Sequence, residues 1–175
     1  MEGTESQLIK FHTVDDQEVL AEKKLVMRSM TVNAMIVDGF DPDDPIPLPE
    51  ITKKTFEKVL DYLKHVDAGN PIPEIEKPLR SNDMRDVTTE FYASYIDLND
   101  DEVQDIILAA NYLDIKDLLA LGCAKMGSVI RGLTIPEFRK RFNIVNDFTP
   151  EEENEPFDEA KLAELSEQYE KSQAQ

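Results

Sequence analysis

The side chains that could act as nucleophiles or bind a transition metal are few in this sequence and lie far apart. Its 175 residues include two histidines, His12 and His65, and one cysteine, Cys123. Two histidines at this separation do not suggest a Ser-His-Asp arrangement, and three His and Cys residues are too few for a zinc site of ordinary ligand count. The six glycines are scattered, so the sequence shows no glycine-rich phosphate loop. We therefore expect no enzymatic activity, no metal and no cofactor.

Carboxylates are abundant: 37 Asp and Glu residues against 19 Lys and Arg give a formal net charge of −18. The run Glu151–Glu153 follows a helix-capping pattern, where solvated carboxylates are far commoner than an acid/base or metal site. An acidic surface repels phosphate backbones and anionic lipid. We expect the partners to be proteins, and neither nucleic acid nor a membrane.

Cysteine usage and the apolar runs bear on the cellular compartment. A single cysteine cannot form an internal disulfide, which fits a reducing environment. The first residues show no signal-peptide pattern, and the longest apolar run in the middle of the chain, Ile106–Ala110, is too short to span a bilayer. We expect a protein of the cytoplasm and nucleus.

Alternating residues predict a small hairpin near the start of the chain. Ile9, Phe11 and Thr13 share one face of a first strand, and Gln17–Leu20 is the candidate for the second. Asp15-Asp16 is a plausible turn between the two. Further on, alternating prolines around Ile46–Leu48 allow at most an edge strand, because proline cannot donate to a ladder.

The segment that follows the hairpin is rich in methionine. Residues 23–37 predict one or two short helices that end near Gly39, and they contain Met27, Met30 and Met35. A methionine-rich stripe either fills the core or forms an adaptable binding surface, and we favour the core.

Three longer helices are predicted from caps and apolar periodicity. Thr52 caps the first, and Asn99 caps the second, whose first turn is acidic. The third runs from Lys116 to Arg131, and we interpret its Cys123 as an inert core or interface thiol. Between the first two, residues 67–88 mix proline, glycine and charge without periodicity, which predicts a mobile, exposed loop.

Two capping boxes follow near the C-terminus. Thr134 pairs with Glu137, and Thr149 pairs with Glu152. Pro150 stands at the first position of the second helix, where its missing N–H costs nothing.

Three blocks of sequence resemble a known family. Pro45-Ile-Pro-Leu-Pro precedes the helix Phe56–His65, the second block is Ile106–Lys116, and the third is Arg141–Glu153. Their order and spacing resemble the Skp-type adaptor family of SCF (Skp–cullin–F-box) ubiquitin ligases, over residues 7–155.

The resemblance implies an α+β architecture, the BTB/POZ fold, with a small three-stranded sheet, packed helices and a C-terminal helical extension. Residues 1–66 would form the first part of the BTB/POZ domain, 67–88 a flexible acidic and proline-containing loop, and 89–131 the rest of the domain. Residues 132–175 would supply F-box-binding helices and a polar tail.

The resemblance also implies a non-catalytic adaptor that links a cullin to F-box substrate receptors. Asn111 and Tyr112 would face the cullin. In some lineages of the family the proline that matches Pro150 is hydroxylated and then glycosylated, although helix stability alone also explains a proline there. The implied F-box-binding residues are Cys123, Met126, Ile130, Ile135, Phe138, Phe142, Ile144, Phe148 and Leu162.

Departures from the family keep alternatives open. The family usually carries tryptophans and this chain has none: Tyr62, Phe91 and Leu162 stand at the corresponding places. One alternative is a BTB-type scaffold protein that acts outside ubiquitin ligation and self-associates, forming a homodimer through the BTB face. Another is an elongin-C-like adaptor, which the extension from Leu133 onward argues against, and an enzyme is the most distant reading.

Overall fold

The computed structural model describes residues 7–39 and 44–153, which divide into two compact units at Leu133 and Thr134. Each unit is described by itself. The first has the mixed α+β architecture that was predicted, and its elements are β1 Leu8–Thr13, β2 Glu18–Glu22, α1 Lys23–Val26, α2 Met30–Val37, β3 Ile46–Leu48, α3 Lys53–Asp67, α4 Met84–Val87, α5 Glu90–Tyr95, α6 Asp100–Tyr112 and α7 Lys116–Ile130. The described part of the second unit contains α8 Ile135–Arg141 and α9 Pro150–Glu153.

The sheet has the strand order β2-β1-β3. Strands β1 and β2 form the predicted antiparallel hairpin, and Asp16 in its turn has a positive φ of 54°. Strand β3 runs parallel to β1 at the edge, as its prolines require, with Ile46 opposite Phe11. The buried face of β1 carries Ile9, Phe11 and Thr13, so the predicted alternation is confirmed.

Caps and aromatic packing fix α3 and α6 against the core. The Thr52 hydroxyl accepts from the Thr55 N–H at the start of α3, and the Asn99 side chain accepts from Glu102 N–H at the start of α6. On the sheet side, the ring of Phe11 lies 4.7 Å, centroid to centroid, from that of Phe56 on α3. Both predicted caps are confirmed.

A buried hydroxyl joins the corner between α1 and α2 to the end of α6. The Ser29 hydroxyl accepts from Val32 N–H at 3.1 Å and donates to the carbonyl oxygen of Leu113 at 2.5 Å. Both the start of α2 and the end of α6 leave backbone groups without a partner inside the helix, and one side chain satisfies a group at each.

The methionines of this region lie mostly at the surface. Met30 is 59% exposed and Met27 is also exposed, whereas Met35 is half-buried against the core. The preference for core methionines is therefore wrong at Met27 and Met30. Helix α2 is apolar on every side but buries only Val32, so periodicity could not indicate which side faces the core.

The predicted loop 67–88 has no helix or strand from 68 to 83, but the prediction is wrong at its C-terminal end, where residues Met84–Val87 form α4. However, Ile72, Ile75 and Leu79 are half-buried against the core, and Met84, at the start of α4, is fully buried. The prediction that all of 67–88 is exposed is therefore wrong at these residues, while its mobility stays a prediction. Apolar residues without periodicity do not reveal which surface covers them.

Helices α6 and α7 pack closely after a tight connection. Helix α6 runs to Tyr112, and Asp114 turns the chain into α7 with a φ of 48°. A Cβ atom at Gly122 of α7 would lie only 2.6 Å from Ile107 Cγ1, so glycine is what permits the approach.

Two identical substitutions on α7 should therefore have opposite effects. Gly122→Ala should lower the free energy of unfolding by about 1–3 kcal/mol, because the added methyl group overpacks the contact with α6. Gly127→Ala should raise it by about 0.5–1 kcal/mol, because its Cβ would lie 3.5 Å from Leu79 Cδ1, an ordinary contact, and alanine favours helix. Urea unfolding followed by circular dichroism measures both, and equal effects would contradict the account.

Candidate functional site

The predicted cullin-facing residues, Asn111 and Tyr112, are the last two residues of α6. The carbonyl oxygen of Tyr112 accepts from the Thr31 hydroxyl at 2.8 Å, and the Tyr112 hydroxyl lies 3.5 Å from the Pro47 carbonyl oxygen in β3. The Tyr112 side chain is half-buried and that of Asn111 is exposed. The two residues therefore stand at a fixed place beside the sheet edge.

Sequence reasoning missed a third residue at this place. Leu108 is 51% exposed and precedes Asn111 and Tyr112 by three and four residues, so all three share one side of α6. We refer to Leu108, Asn111 and Tyr112 as the α6 patch. A helical projection could have found it, because Leu108 falls outside the buried stripe of this helix.

A second apolar surface lies on α7. Cys123 and Ile130 are exposed and Met126 is half-buried, and these three residues, the α7 face, follow at spacings of three and four. Of the two alternatives for Cys123, the core position is wrong, because another side of α7 packs inward, and the interface position stays a prediction. The buried residues of α7 are Leu118, Leu121, Gly122, Ala124 and Ser128.

Local interactions start α8 in the second unit. The Thr134 hydroxyl accepts from Glu137 N–H at 3.4 Å, and the Glu137 carboxylate accepts from Thr134 N–H at 2.9 Å. The predicted capping box is therefore confirmed. The backbone N–H and then the hydroxyl of Thr134 hold the pKa of Glu137 below its ordinary value.

The second unit presents many apolar side chains to solvent. Phe138 and Phe142 are half-buried with their ring centroids 4.8 Å apart, and no residue of α8 is buried. Val145, which sequence reasoning did not single out, is 82% exposed. The exposed predicted residues here are Ile135, Ile144 and Phe148. With Phe138, Phe142 and Val145 they make up the C-terminal face, whereas predicted Leu162 lies outside the described residues.

Two further observations concern the start of α9. The Arg139 guanidinium carbon lies 5.1 Å from the Phe148 ring centroid, a cation–π contact that orients Phe148. Pro150 is exposed at the first position of α9, and the predicted capping box is confirmed: Thr149 N–H donates to the Glu152 carboxylate at 2.8 Å and Glu152 N–H to the Thr149 hydroxyl at 3.3 Å. The backbone N–H and then the hydroxyl of Thr149 hold the pKa of the Glu152 carboxyl group below its ordinary value.

The histidines are engaged in ordinary contacts. His12 Nε2 lies 3.3 Å from an Asp16 carboxylate oxygen, and the His65 ring stacks on Phe91 with centroids 3.4 Å apart. The described residues bring no three His, Cys, Asp or Glu side chains together in a group that could hold a metal ion. Among the helices of 7–39 and 44–153, none combines the length and apolarity needed to cross a membrane.

Comparison with known proteins identifies relatives along most of the chain. The profile of the Skp1 family tetramerisation domain matches residues 7–67, and that of the Skp1 family dimerisation domain matches residues 116–163. The chain is similar to an S-phase kinase-associated protein 1 homolog of Tetrahymena thermophila, with 41% identity over 160 residues, which cover 91% of this chain and 95% of the relative.

Two other relatives are named as parts of ubiquitin ligase complexes. The SCF ubiquitin ligase complex protein SKP1a of Dictyostelium discoideum is 39% identical over 148 residues, 85% of this chain and 90% of the relative. The E3 ubiquitin ligase complex SCF subunit sconC of Arthroderma benhamiae is 35% identical over 155 residues, 89% of this chain and 94% of the relative.

The capping box of α8 should respond to acid. Because the folded-state pKa of Glu137 lies below the ordinary value of 4.5, its stabilising effect is complete above that value and is lost as the pH falls through the folded pKa. The protection factors of the amides of Ile135, Glu137 and Phe138, that is, their exchange rates relative to the intrinsic rate at each pH, should therefore fall as the pH is lowered from about 5 to about 3. Glu137→Gln keeps an acceptor but cannot titrate, so an equal acid response in that variant would contradict the assignment.

Proposed function

The chain belongs to the Skp1 family, and we propose that it is a non-catalytic adaptor subunit of an SCF ubiquitin ligase, which links a cullin to F-box substrate receptors. Relatives that carry SCF names align with 85% and 89% of the chain. The structural observation that carries the proposal is the exposure of α8, which has a formed helix start but no buried residue. An amphipathic helix whose apolar side chains are exposed is typical of a surface that a partner protein covers.

The C-terminal face has the chemistry expected for an F-box partner. It presents aromatic and branched aliphatic side chains, which remove large apolar areas from water when a partner helix buries them. In the first unit, the α7 face offers a second apolar strip of the same kind. We propose that an F-box domain contacts both.

The α6 patch suits a different partner. It combines an exposed leucine with the polar tips of Asn111 and Tyr112, and the hydrogen bond from Thr31 fixes its backbone. A small patch on a rigid helix end fits a protein surface that arrives already folded, since little ordering entropy remains to be lost. We propose that this partner is the cullin.

The first unit contains a packed aromatic cluster although the chain has no tryptophan. Tyr62 is buried, with its ring centroid 5.9 Å from that of Tyr92 and 6.2 Å from that of Tyr95. The Tyr95 hydroxyl donates to the Lys58 carbonyl oxygen at 2.9 Å, so the buried polar end has a partner. These contacts support a folded scaffold without tryptophan.

Self-association is the alternative that a specific observation favours. Met30, Ala34 and Val37 lie at spacings of four and three on α2 and are all exposed. A second copy of the chain could cover this strip. Dimers in sedimentation analysis, together with no capture of a cullin, would favour a scaffold role over the adaptor role.

We also propose that the protein is located in the cytoplasm and nucleus, and that its partners include neither nucleic acid nor a membrane.

Paired variants should separate the two proposed surfaces. Combining Asn111→Ala with Tyr112→Ala should weaken cullin binding about tenfold or more and leave F-box binding unchanged, because the α6 patch loses its side chains. Combining Val145→Ala with Phe148→Ala should weaken F-box binding and leave cullin binding unchanged, because the C-terminal face loses apolar side chains. Binding to a purified cullin N-terminal region and to a purified F-box domain measures both.

The folded state of the first variant needs its own control. Tyr112→Phe keeps the ring that packs against the core, so it should fold normally and lose only the part of cullin binding that the hydroxyl supplies. A parallel loss of cullin and F-box binding in the double alanine variant would contradict a local role and indicate unfolding.

Pro150 is a candidate for hydroxylation and glycosylation. It is exposed at a helix start, where an added polar group could change the position of the following residues. Mass spectrometry of the protein from its native cells should show one added oxygen, with or without sugars, on the peptide that contains Pro150. Pro136, an exposed proline in the first turn of α8, is the internal control and should be unmodified. An unmodified Pro150 in cells that contain the hydroxylase would contradict the assignment.

A further inference from the structure

Residues 72–82, hereafter the strap, lie along α7. Leu79 Cδ1 is 3.5 Å from the point that a Cβ atom on Gly127 would occupy, so the strap packs against the helix where α7 has no side chain. Arg131, directly after α7, donates from Nη1 to the Leu79 carbonyl oxygen. Asn82 Nδ2 donates to the Arg131 carbonyl oxygen at 3.1 Å. Packing and two hydrogen bonds therefore hold the strap on α7.

The strap borders the α7 face at Cys123. An open, mostly apolar groove of about 500 Å³ separates the two, and Cys123 lines it from the helix side. Arg131, which anchors the strap, follows Ile130 of the α7 face directly. Other lining residues are Ile75, Pro78 and Leu79 from the strap, and Leu119 and Gly127 from α7. A partner that buries Cys123 completely would enter this groove and meet the strap on its other side.

The strap is held by fewer buried contacts than the helices are. The strap contains neither helix nor strand, and its apolar side chains are only half-buried. The ion pair between Glu76 and Arg80 lies within the strap and does not join it to α7. Segments with few buried contacts open at lower free energy than the packed elements beneath them.

We propose that the strap is an internal competitor for the groove beside Cys123, and that an F-box partner must displace it to bury this end of the α7 face. This inference rests on the proposed function. A strap that is closed about nine-tenths of the time lowers the apparent affinity of every partner about tenfold. It covers apolar surface on the free adaptor, and it sets a threshold that weak partners do not pass.

Releasing the strap should strengthen F-box binding. Asn82→Ala removes one anchoring hydrogen bond and Leu79→Ala removes the packing on Gly127. Each should tighten binding of a purified F-box domain roughly two- to tenfold, the range that one ordinary hydrogen bond represents. Glu76→Gln breaks the ion pair inside the strap and is the matched control, with no expected change.

The outcomes separate this inference from the proposed function. A wild-type chain that binds no F-box domain contradicts the proposed function itself. A wild-type chain that binds, with release variants that bind equally or more weakly, overturns the strap as a competitor and makes it part of the interface or a bystander.

Proteolysis tests displacement without any substitution. Lys77 precedes a proline, so Arg80 is the one site in the strap where trypsin cuts readily. Cleavage after Arg80 in the wild-type chain, followed by mass spectrometry, should accelerate at least severalfold when a saturating F-box domain is added, because a displaced strap is accessible. Unchanged or slower cleavage in the complex would overturn the proposal.

Discussion

The close approach of α6 and α7 at Gly122 is the constraint on which both candidate surfaces of the first unit depend. A side chain at this position would collide with Ile107, so the two helices pack at their present distance only because α7 carries glycine there. The end of α6 presents Asn111 and Tyr112, and the outer side of α7 presents its own apolar face. Two partners bound there would be held through one rigid helix pair. For an adaptor this rigidity is what converts two binding events into a defined geometry.

Polar interactions then fix where α6 ends. The Ser29 hydroxyl joins the start of α2 to the carbonyl of Leu113, and the Thr31 hydroxyl bonds to the carbonyl of Tyr112. Both bonds connect residues that are more than 80 positions apart in the chain. They satisfy carbonyl groups that the helix leaves open, so the last turn of α6 is formed before any partner arrives.

Local features could be predicted from the sequence and non-local ones could not. The caps at Thr52 and Asn99 were correct because a capping residue and its donor lie within one turn. The core position favoured for Met30 and the core alternative for Cys123 were wrong, because α2 and α7 carry apolar residues on several sides and only the neighbouring elements decide which side is buried. The contact between residues 72–82 and α7 has no periodic signature in the sequence. The roles assigned to individual surface residues stay predictions.

The capping boxes at Thr134 and Thr149 have a consequence for how partners are exchanged. A helix whose start is fixed by its own first turn re-forms within about a microsecond whenever it frays. The C-terminal face is therefore ready for a new partner almost as soon as the previous one leaves. The lifetime of each complex, rather than refolding of the adaptor, then limits how quickly one pool of this protein can serve many competing receptors.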